Sequence, residues 1–197
     1  NGFFAMIDAR MRKYDPTHMI VAFDPPPPTF RHELYPAYKA NRPPVPLRFL
    51  EECDLIRERL AATGVAMCTV VGYEADDVLG TLTRQASLLG FQTVVVTCDL
   101  DILQLVSADT KVEVFSQYWP TRFFDIRAVV QRFGGLAPGS IPDYKALVGD
   151  RSDNLPGVPG IGDVAATAIL REYGDLEGVY GNLESIPLPK HEVQRRE

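Results

Sequence analysis

Apolar residues along this chain follow two rhythms, and acids, glycines and prolines mark the places where one gives way to the other. Residues 2–14 carry apolar side chains at helical spacing and predict a helix. "THMIVAF" (17–23) reads as a strand that stops at Asp24, and the prolines of "PPPPTF" then continue neither a ladder nor a helix. Residues 29–48, "TFRHELYPAYKANRPPVPLR", predict irregular or broken-helical chain. In "LRFLEECDLIRERLAATG" (47–64), Leu47, Leu50, Cys53 or Leu55, Ile56 and Leu60 recur at helical spacing, with Gly64 as the stop. "VAMCTVV" (65–71) predicts a strand and Gly72 a turn. The helix expected over 76–89 buries Val78, Leu79, Leu82, Ala86 and Leu89. "QTVVVT" (92–97) is the next strand, "DLDILQLV" (99–106) a short helix, and "KVEVF" (111–115) a further strand.

Strands alternating with helices predict an α/β fold, a mostly parallel sheet with helices on its faces. Beyond Phe115 the β-branched runs stop. "RFFDIRAVVQRFG", "SIPDYKALVG" and "DVAATAILREYG" read as short helices between glycine and proline turns. The expected division is an α/β core over 1–135 and a small all-helical domain over 136–197, with weak periodicity from Gly181 onward. The opening "NGFFAMIDARMRKYDP" reads as a helix already under way, not a secretion signal, so the segment is expected to begin inside a domain. No run approaches the ~18 apolar residues of a membrane span. Cys53, Cys68 and Cys98 have neither metal-ligand spacing nor an even count, which favours a reducing, cytoplasmic setting.

Ligands of parallel α/β sheets gather beyond the carboxyl ends of the strands. Asp24 ends the first predicted strand; Glu74, Asp76 and Asp77 follow the second; Asp99 and Asp101 follow "VVVT". Three strands are thus expected to deliver carboxylates to one edge. Each has a plainer reading when taken singly: Asp76 as a helix cap, Asp77 as a first-turn acid, Asp99 and Asp101 as a solvated turn. Helix N-termini stabilise an anion by only ~0.3–1 kcal/mol, too little to hold so many like charges together without cations. Oxygen ligands suit magnesium or manganese, whereas zinc favours histidine or cysteine. Asp150 and Asp153 in "GDRSDN" could cap helices or complete a second cation site. The net charge of −6 argues weakly against nucleic acid, but setting these eight acids aside leaves 18 of the 26 against 20 lysines and arginines.

Two further segments carry candidate phosphate contacts. Gly157-Val158-Pro159-Gly160-Ile161-Gly162 permits a tight turn before a helix whose free amides could hold a phosphate, or a plain helix–turn–helix corner. Arg31, Lys39, Arg42 and Arg48, interleaved with Tyr35 and Tyr38, could be solvated charges or could meet phosphates while a ring stacks on a base.

"FRHELYPAYKANRPPVP", "GYEADDVLGTL", "TCDLDILQLV" and "DYKALVGDRSDNLPGVPGIG" together resemble the bacterial 5′→3′ exonuclease family, which includes the nuclease domain of DNA polymerase I and is related to flap endonucleases. The resemblance runs from about Gly2 to Leu183. It implies a PIN-like nuclease domain with a helical arch, followed by a helix–three-turn–helix element. It also implies that Asp24, Glu74, Asp76, Asp77, Asp99, Asp101, Asp150 and Asp153 bind two or more Mg2+ or Mn2+ ions. By the same resemblance Lys39 and Arg42 sit near the scissile phosphate, Tyr38 engages the terminal nucleotide, and Gly157, Val158, Gly160, Ile161 and Gly162 bind duplex backbone, often with K+. The implied substrate is a 5′ end or flap on duplex DNA, or the RNA primer of a hybrid, with any polymerase domain outside this chain.

Three departures qualify the match. The family opens with a strand bearing another metal-site aspartate, and Asp8, in a predicted helix, does not take its place; the expectation is a fragment of a longer protein. Leu100 and Cys98 stand where the family favours lysine and a small residue. Val164 and Ala168 replace lysines after the glycine turn, and residues 154–197 hold four basic side chains against seven acidic ones, which weakens electrostatic affinity for duplex. Two alternatives follow: a PIN-type ribonuclease acting on single-stranded RNA, and a catalytically inactive module that binds flaps or nicks.

Overall fold

The computed structural model describes residues 2–116 and 120–186, so the weakly periodic tail from residue 187 onward lies outside the described residues. Chain contacts divide it into two units, the first from Asn1–Pro27 and Pro44–Val78, the second from Pro28–Pro43 and Leu79–Glu197. The helices in chain order open with α1 (Gly2–Tyr14), the short α2 (Phe30–Leu34) and α3 (Leu47–Ala62), of which α2 belongs to the second unit.

In the first unit, α1 and α3 accompany a parallel pair, β1 (Ile20–Ala22) and β2 (Ala66–Cys68). The register sets Ile20 beside Ala66 and Ala22 beside Cys68, and Phe23 N–H extends the ladder to the Cys68 carbonyl at 3.0 Å. The Arg59 guanidinium lies 4.1 Å from the Phe4 ring centroid and that of Arg57 4.6 Å from Phe23, so cation–π contacts tie α3 to α1 and to the end of β1. The expected apolar stripe of α3 is only partly buried. Leu60 is enclosed, but Leu47, Leu50 and Leu55 are exposed.

The second unit holds the deep core. β3 (Thr93–Thr97) pairs in parallel with β4 (Thr110–Val114), and β5 (Arg122–Phe124) adds an antiparallel edge. Val95, Ile102, Leu103, Val112, Phe124 and Val129 pack as one cluster, each such side chain contributing ~1.5–3 kcal/mol by leaving water. A second cluster, Leu136, Leu147, Ile161, Ala166, Leu170 and Val179, holds together α6 (Ile141–Val148), α7 (Asp163–Tyr173) and α8 (Leu176–Gly181). Phe133 packs against both clusters and meets Tyr144 edge-on, with centroids 5.4 Å apart. The Tyr144 hydroxyl is pushed up to about 12 by burial and by its hydrogen bond to Asp163.

Two expectations change. The strands form two small sheets, not one, because among the described residues β1 and β2 pair only with each other. "RFF" at 122–124, which the pattern assigns to the start of a helix, is β5. Asp125 accepts the Ala128 amide at 2.8 Å and so starts α5 (Ile126–Arg132) at Ile126. α4 (Ala75–Leu88) matches its predicted span. Val78 is buried and Leu79 packs on the first cluster, while Leu89, beyond the helix, is exposed.

Asp109, before β4, accepts hydrogen bonds from Ser87 Oγ at 2.6 Å and Gln92 Nε2 at 2.8 Å, which hold its carboxyl below the ordinary carboxylate range. A depressed folded-state value stabilises the fold above the unfolded value of ~3.9 and is lost as pH falls through the folded value. Ser87→Ala is therefore expected to lower Tm at pH ~7 and to converge on the parent below pH ~3. An equal gap at both pH values in thermal unfolding would rule this linkage out.

Candidate functional site

The first group of acids is set by the start of α4. Asp24, just past the β1 ladder, accepts the Ala75 amide through Oδ1 at 2.7 Å, satisfying an otherwise orphaned helix donor from a different part of the chain. Asp77 folds back to accept the Glu74 amide at 2.9 Å. Both acids thus have a capping role. Glu74 is buried and Asp24 exposed, with Asp76 and Asp77 in the helix's first turn, where its dipole favours anions.

In the second unit, Asp99 and Asp101 follow β3. Thr97 Oγ1 accepts the Asp99 amide at 3.0 Å, and Asp99 Oδ1 accepts the Asp101 amide at 2.8 Å, so the two carboxylates are fixed by a side-chain turn. Lys145, on α6, is not singled out by the sequence pattern, although it lies in "DYKALVGD" five residues before Asp150. Its ammonium bridges Asp101 at 2.8 Å and Asp150 at 2.6 Å. Burial pushes Lys145 down, but its two carboxylate partners outweigh that and raise it. Burial also lifts Asp101, and Lys145 only partly offsets it. Asp150 is lifted by burial too, yet Lys145 and the Ser152 hydroxyl and amide hold it far below the ordinary range. The difference between the two acids follows from those extra donors: the shared ammonium serves both, and Ser152 serves only Asp150.

Asp153 is differently engaged. Its carboxylate accepts Tyr38 OH at 3.1 Å and the Arg42 guanidinium at 2.6 Å. Tyr38 is buried with its ring edge-on to His32. Lys39 Nζ lies 4.8 Å from the Tyr38 ring centroid, and the Arg31 guanidinium 4.6 Å from that of Phe30.

The glycine turn is held partly by its own hydrogen bonds. Val158 N–H donates to the Leu147 carbonyl at 2.8 Å and Ile161 N–H to the Val158 carbonyl at 3.0 Å, and the Ile161 side chain is buried. Gly157 crosses against Val148 and Gly149 so closely that a Cβ would collide with their backbone. Gly157, Val158 and Ile161 therefore build the corner. Gly160 and Gly162 are exposed, and Gly162 caps α7 without a side chain. A groove of about 840 Å³ lies beside them, lined in part by Tyr35, Asn41, Arg151, Asn154 and Asp163.

These acids offer only hard oxygen donors. Among the described residues no three histidine, cysteine or acidic side chains are placed to enclose one ion.

Parallel strands with carboxylates beyond them, then packed helices and a glycine corner, make up an α/β part and a helical part. Residues 1–134 match the 5′-3′ exonuclease N-terminal resolvase-like domain, and residues 136–196 the 5′-3′ exonuclease C-terminal SAM fold. The chain belongs to the 5′-3′ exonuclease family. DNA polymerase I of Mycobacterium leprae is 42% identical over 187 residues, covering 94% of this chain and 20% of that protein. The chain thus spans about a fifth of the length of such relatives. A structure of the bacteriophage T5 5′-exonuclease with bound divalent metal ions (zinc) has the same fold, with TM-score 0.78 and 24% identity, covering 95% of this chain and 71% of that one. A T5 flap endonuclease in a pseudo-enzyme–product complex with DNA and metal ions gives TM-score 0.77 at 23% identity, with 95% and 71% covered.

Proposed function

We propose that this chain is a divalent-metal-dependent 5′→3′ exonuclease and flap endonuclease that hydrolyses phosphodiester bonds at DNA 5′ ends or flaps. The observation that carries the reading is that carboxylates follow β1 and β3 closely, gather at the start of α4 and recur at Asp150 beyond α6, in a chain of this family. Asp24, Glu74, Asp76, Asp77, Asp99, Asp101, Asp150 and Asp153 would hold the ions, magnesium or manganese. When bound, such ions activate water and neutralise the leaving oxygen of a phosphodiester. Lys39 and Arg42 supply positive charge where phosphate charge develops. The exposed Gly160 and Gly162, with the first amides of α7, would donate backbone N–H to duplex phosphates without reading bases. K+ held by carbonyls of the 157–162 turn, action on RNA primers, a linked polymerase domain and a cytoplasmic setting belong to the same proposal; the three cysteines are unpaired, and no described helix is long and apolar enough to cross a membrane.

Lys145 has a defined part in it. It neutralises Asp101 and Asp150 while no ion is present, and would have to yield as a cation arrives. Mn2+ titration of the intact protein followed by paramagnetic resonance is expected to show about tenfold weaker binding in Asp101→Asn and in Asp150→Asn, each loss reflecting one removed ligand charge. Unchanged binding in both variants would remove these acids from the ligand set.

A further inference from the structure

Arg151 lies between two of the candidate acids, in the turn that runs from Asp150 to Leu155. The backbone of that turn is closely fixed. Asp150 Oδ1 accepts the Ser152 amide at 2.7 Å and the Asp153 amide at 3.3 Å, and Asn41 Nδ2 donates to the Arg151 carbonyl at 2.7 Å. Nothing comparable holds the side chain of Arg151. It is exposed, and among the described residues no hydrogen bond or ion pair engages its guanidinium. Nearby cations differ: Arg42 pairs with Asp153, and Lys145 with Asp101 and Asp150. Those charges are matched within the protein, and that of Arg151 is not.

The groove of about 840 Å³ beside the glycine corner gives this charge a place to act. Arg151 lines it together with Tyr35, Asn41, Asn154, Gly162 and Asp163. Other polar groups there are partly spent. Asn41 and Asn154 donate to the Arg151 and Ala37 carbonyls, and the Asp163 carboxylate accepts Tyr144 OH at 2.7 Å. The guanidinium keeps its N–H donors uncommitted, in a fork that matches the oxygens of a phosphate. The helix after the corner supplies no such charge. α7 opens on Asp163, and its one basic residue, Arg171, stands in the last turn, roughly 12 Å along the axis, with its side chain against Gly135.

We propose that Arg151 is a substrate-binding residue that grips one backbone phosphate of DNA in this groove, between the 39–42 turn and the glycine corner. The inference rests on the reading of this chain as a nuclease that acts on DNA, and adds to it the cation that the start of α7 lacks. A phosphate there meets a guanidinium whose backbone is already in place, so only the side chain is ordered on binding. The contact carries no base information, because the phosphate is the same in every sequence. It is made equally before and during bond cleavage, so it strengthens substrate binding and leaves the chemical step alone.

The salt dependence of binding reads this contact without any need for cleavage. Anisotropy of a fluorescent flap duplex, with the intact protein and chelator present, gives the affinity over a series of KCl concentrations. Arg151→Gln is expected to bind about fivefold more weakly at ~0.1 M KCl. Its slope of log K against log salt is expected to be shallower by about 0.9, the share of one phosphate contact. Arg151→Lys keeps the charge and is expected to keep the parent's slope. Both variants are expected to match the parent in Tm, since the Asn41 bond ends on the backbone at 151. In steady-state flap cleavage with Mn2+, Arg151→Gln is expected to raise KM about fivefold at unchanged kcat. Three results overturn the proposal. A parent-like slope in Arg151→Gln would leave Arg151 a solvated charge only. A slope equally shallow in Arg151→Gln and Arg151→Lys would show that charge is not what it supplies. A lowered kcat at unchanged KM would put it in the chemical step. A protein that cuts flaps while Arg151→Gln keeps the parent's slope remains a nuclease without this contact. One that cuts nothing, yet shows the shallower slope, keeps the contact and loses the nuclease reading.

Discussion

Gly149→Ala is expected to destabilise the fold by ~3 kcal/mol or more, one of the largest effects available from adding a single methyl group. Gly149 has φ 83° and ψ 176°, a backbone region essentially reserved for glycine. An ideal Cβ there would lie 2.6 Å from the Gly157 nitrogen and 2.6 Å from the Leu155 carbonyl oxygen. Those atoms are backbone and cannot rotate aside, so the strain falls on the chain crossing itself. That crossing carries the paired hydrogen bonds between Asp150 and Leu155, at 2.8 and 2.7 Å, and so sets where the Asp150 carboxylate stands. Gly157→Ala meets the same obstruction from the other side, at φ 64°. Chemical denaturation measures both; a loss below ~1 kcal/mol in each would mean that the crossing opens easily.

Asp99→Asn and Asp76→Asn are each expected to lower metal-supported flap cleavage by about 10³-fold, the kinetic equivalent of several kcal/mol of lost charge stabilisation. The amide is chosen because it keeps the fold. The carbonyl oxygen of the new side chain at position 99 could still accept the Asp101 amide that Asp99 Oδ1 now accepts. Asp76 lies in the first turn of a helix whose cap bonds come from Asp24 and Asp77. What changes is ligand charge. Steady-state cleavage of a labelled flap duplex beside thermal unfolding separates the two effects: activity should fall while Tm holds within a few degrees. Parent-like cleavage by either variant would take that acid out of the chemistry.

The elements with strong local signals were legible. α4 shows its stripe, its glycine stop and its acidic first turn, and β3 its β-branched run. β5 was hidden because "RFF" is apolar in the same way as the helix behind it; only Asp125, read as a cap, separates the two. The stripe of α3 is real in sequence but only Leu60 is deeply buried, since helical spacing tells which residues share a face and not what covers it. Among the candidate site residues, Asp24 follows β1 and Asp99 follows β3, but the sequence could not tell that these strands belong to two separate sheets. The hydrogen bond of Tyr38 to Asp153 could not be read from the sequence, because it joins positions 115 residues apart. Lys145 was within sight of Asp150, but its second partner, Asp101, is brought to it by tertiary packing alone. Val158 and Ile161 spend their amides within the corner, which a glycine-rich pattern alone does not reveal.

The most direct test of the proposed chemistry is cleavage of a 5′-labelled flap duplex by the intact protein, with Mn2+ or with chelator, beside a matched single-stranded RNA. Hydrolysis of the flap that requires the divalent ion and leaves 5′-phosphorylated product, with the RNA cut far more slowly, is the predicted result. A protein with Asp24, Asp76 and Asp99 intact that binds the flap and leaves it whole in Mn2+, or that prefers the RNA, would contradict it.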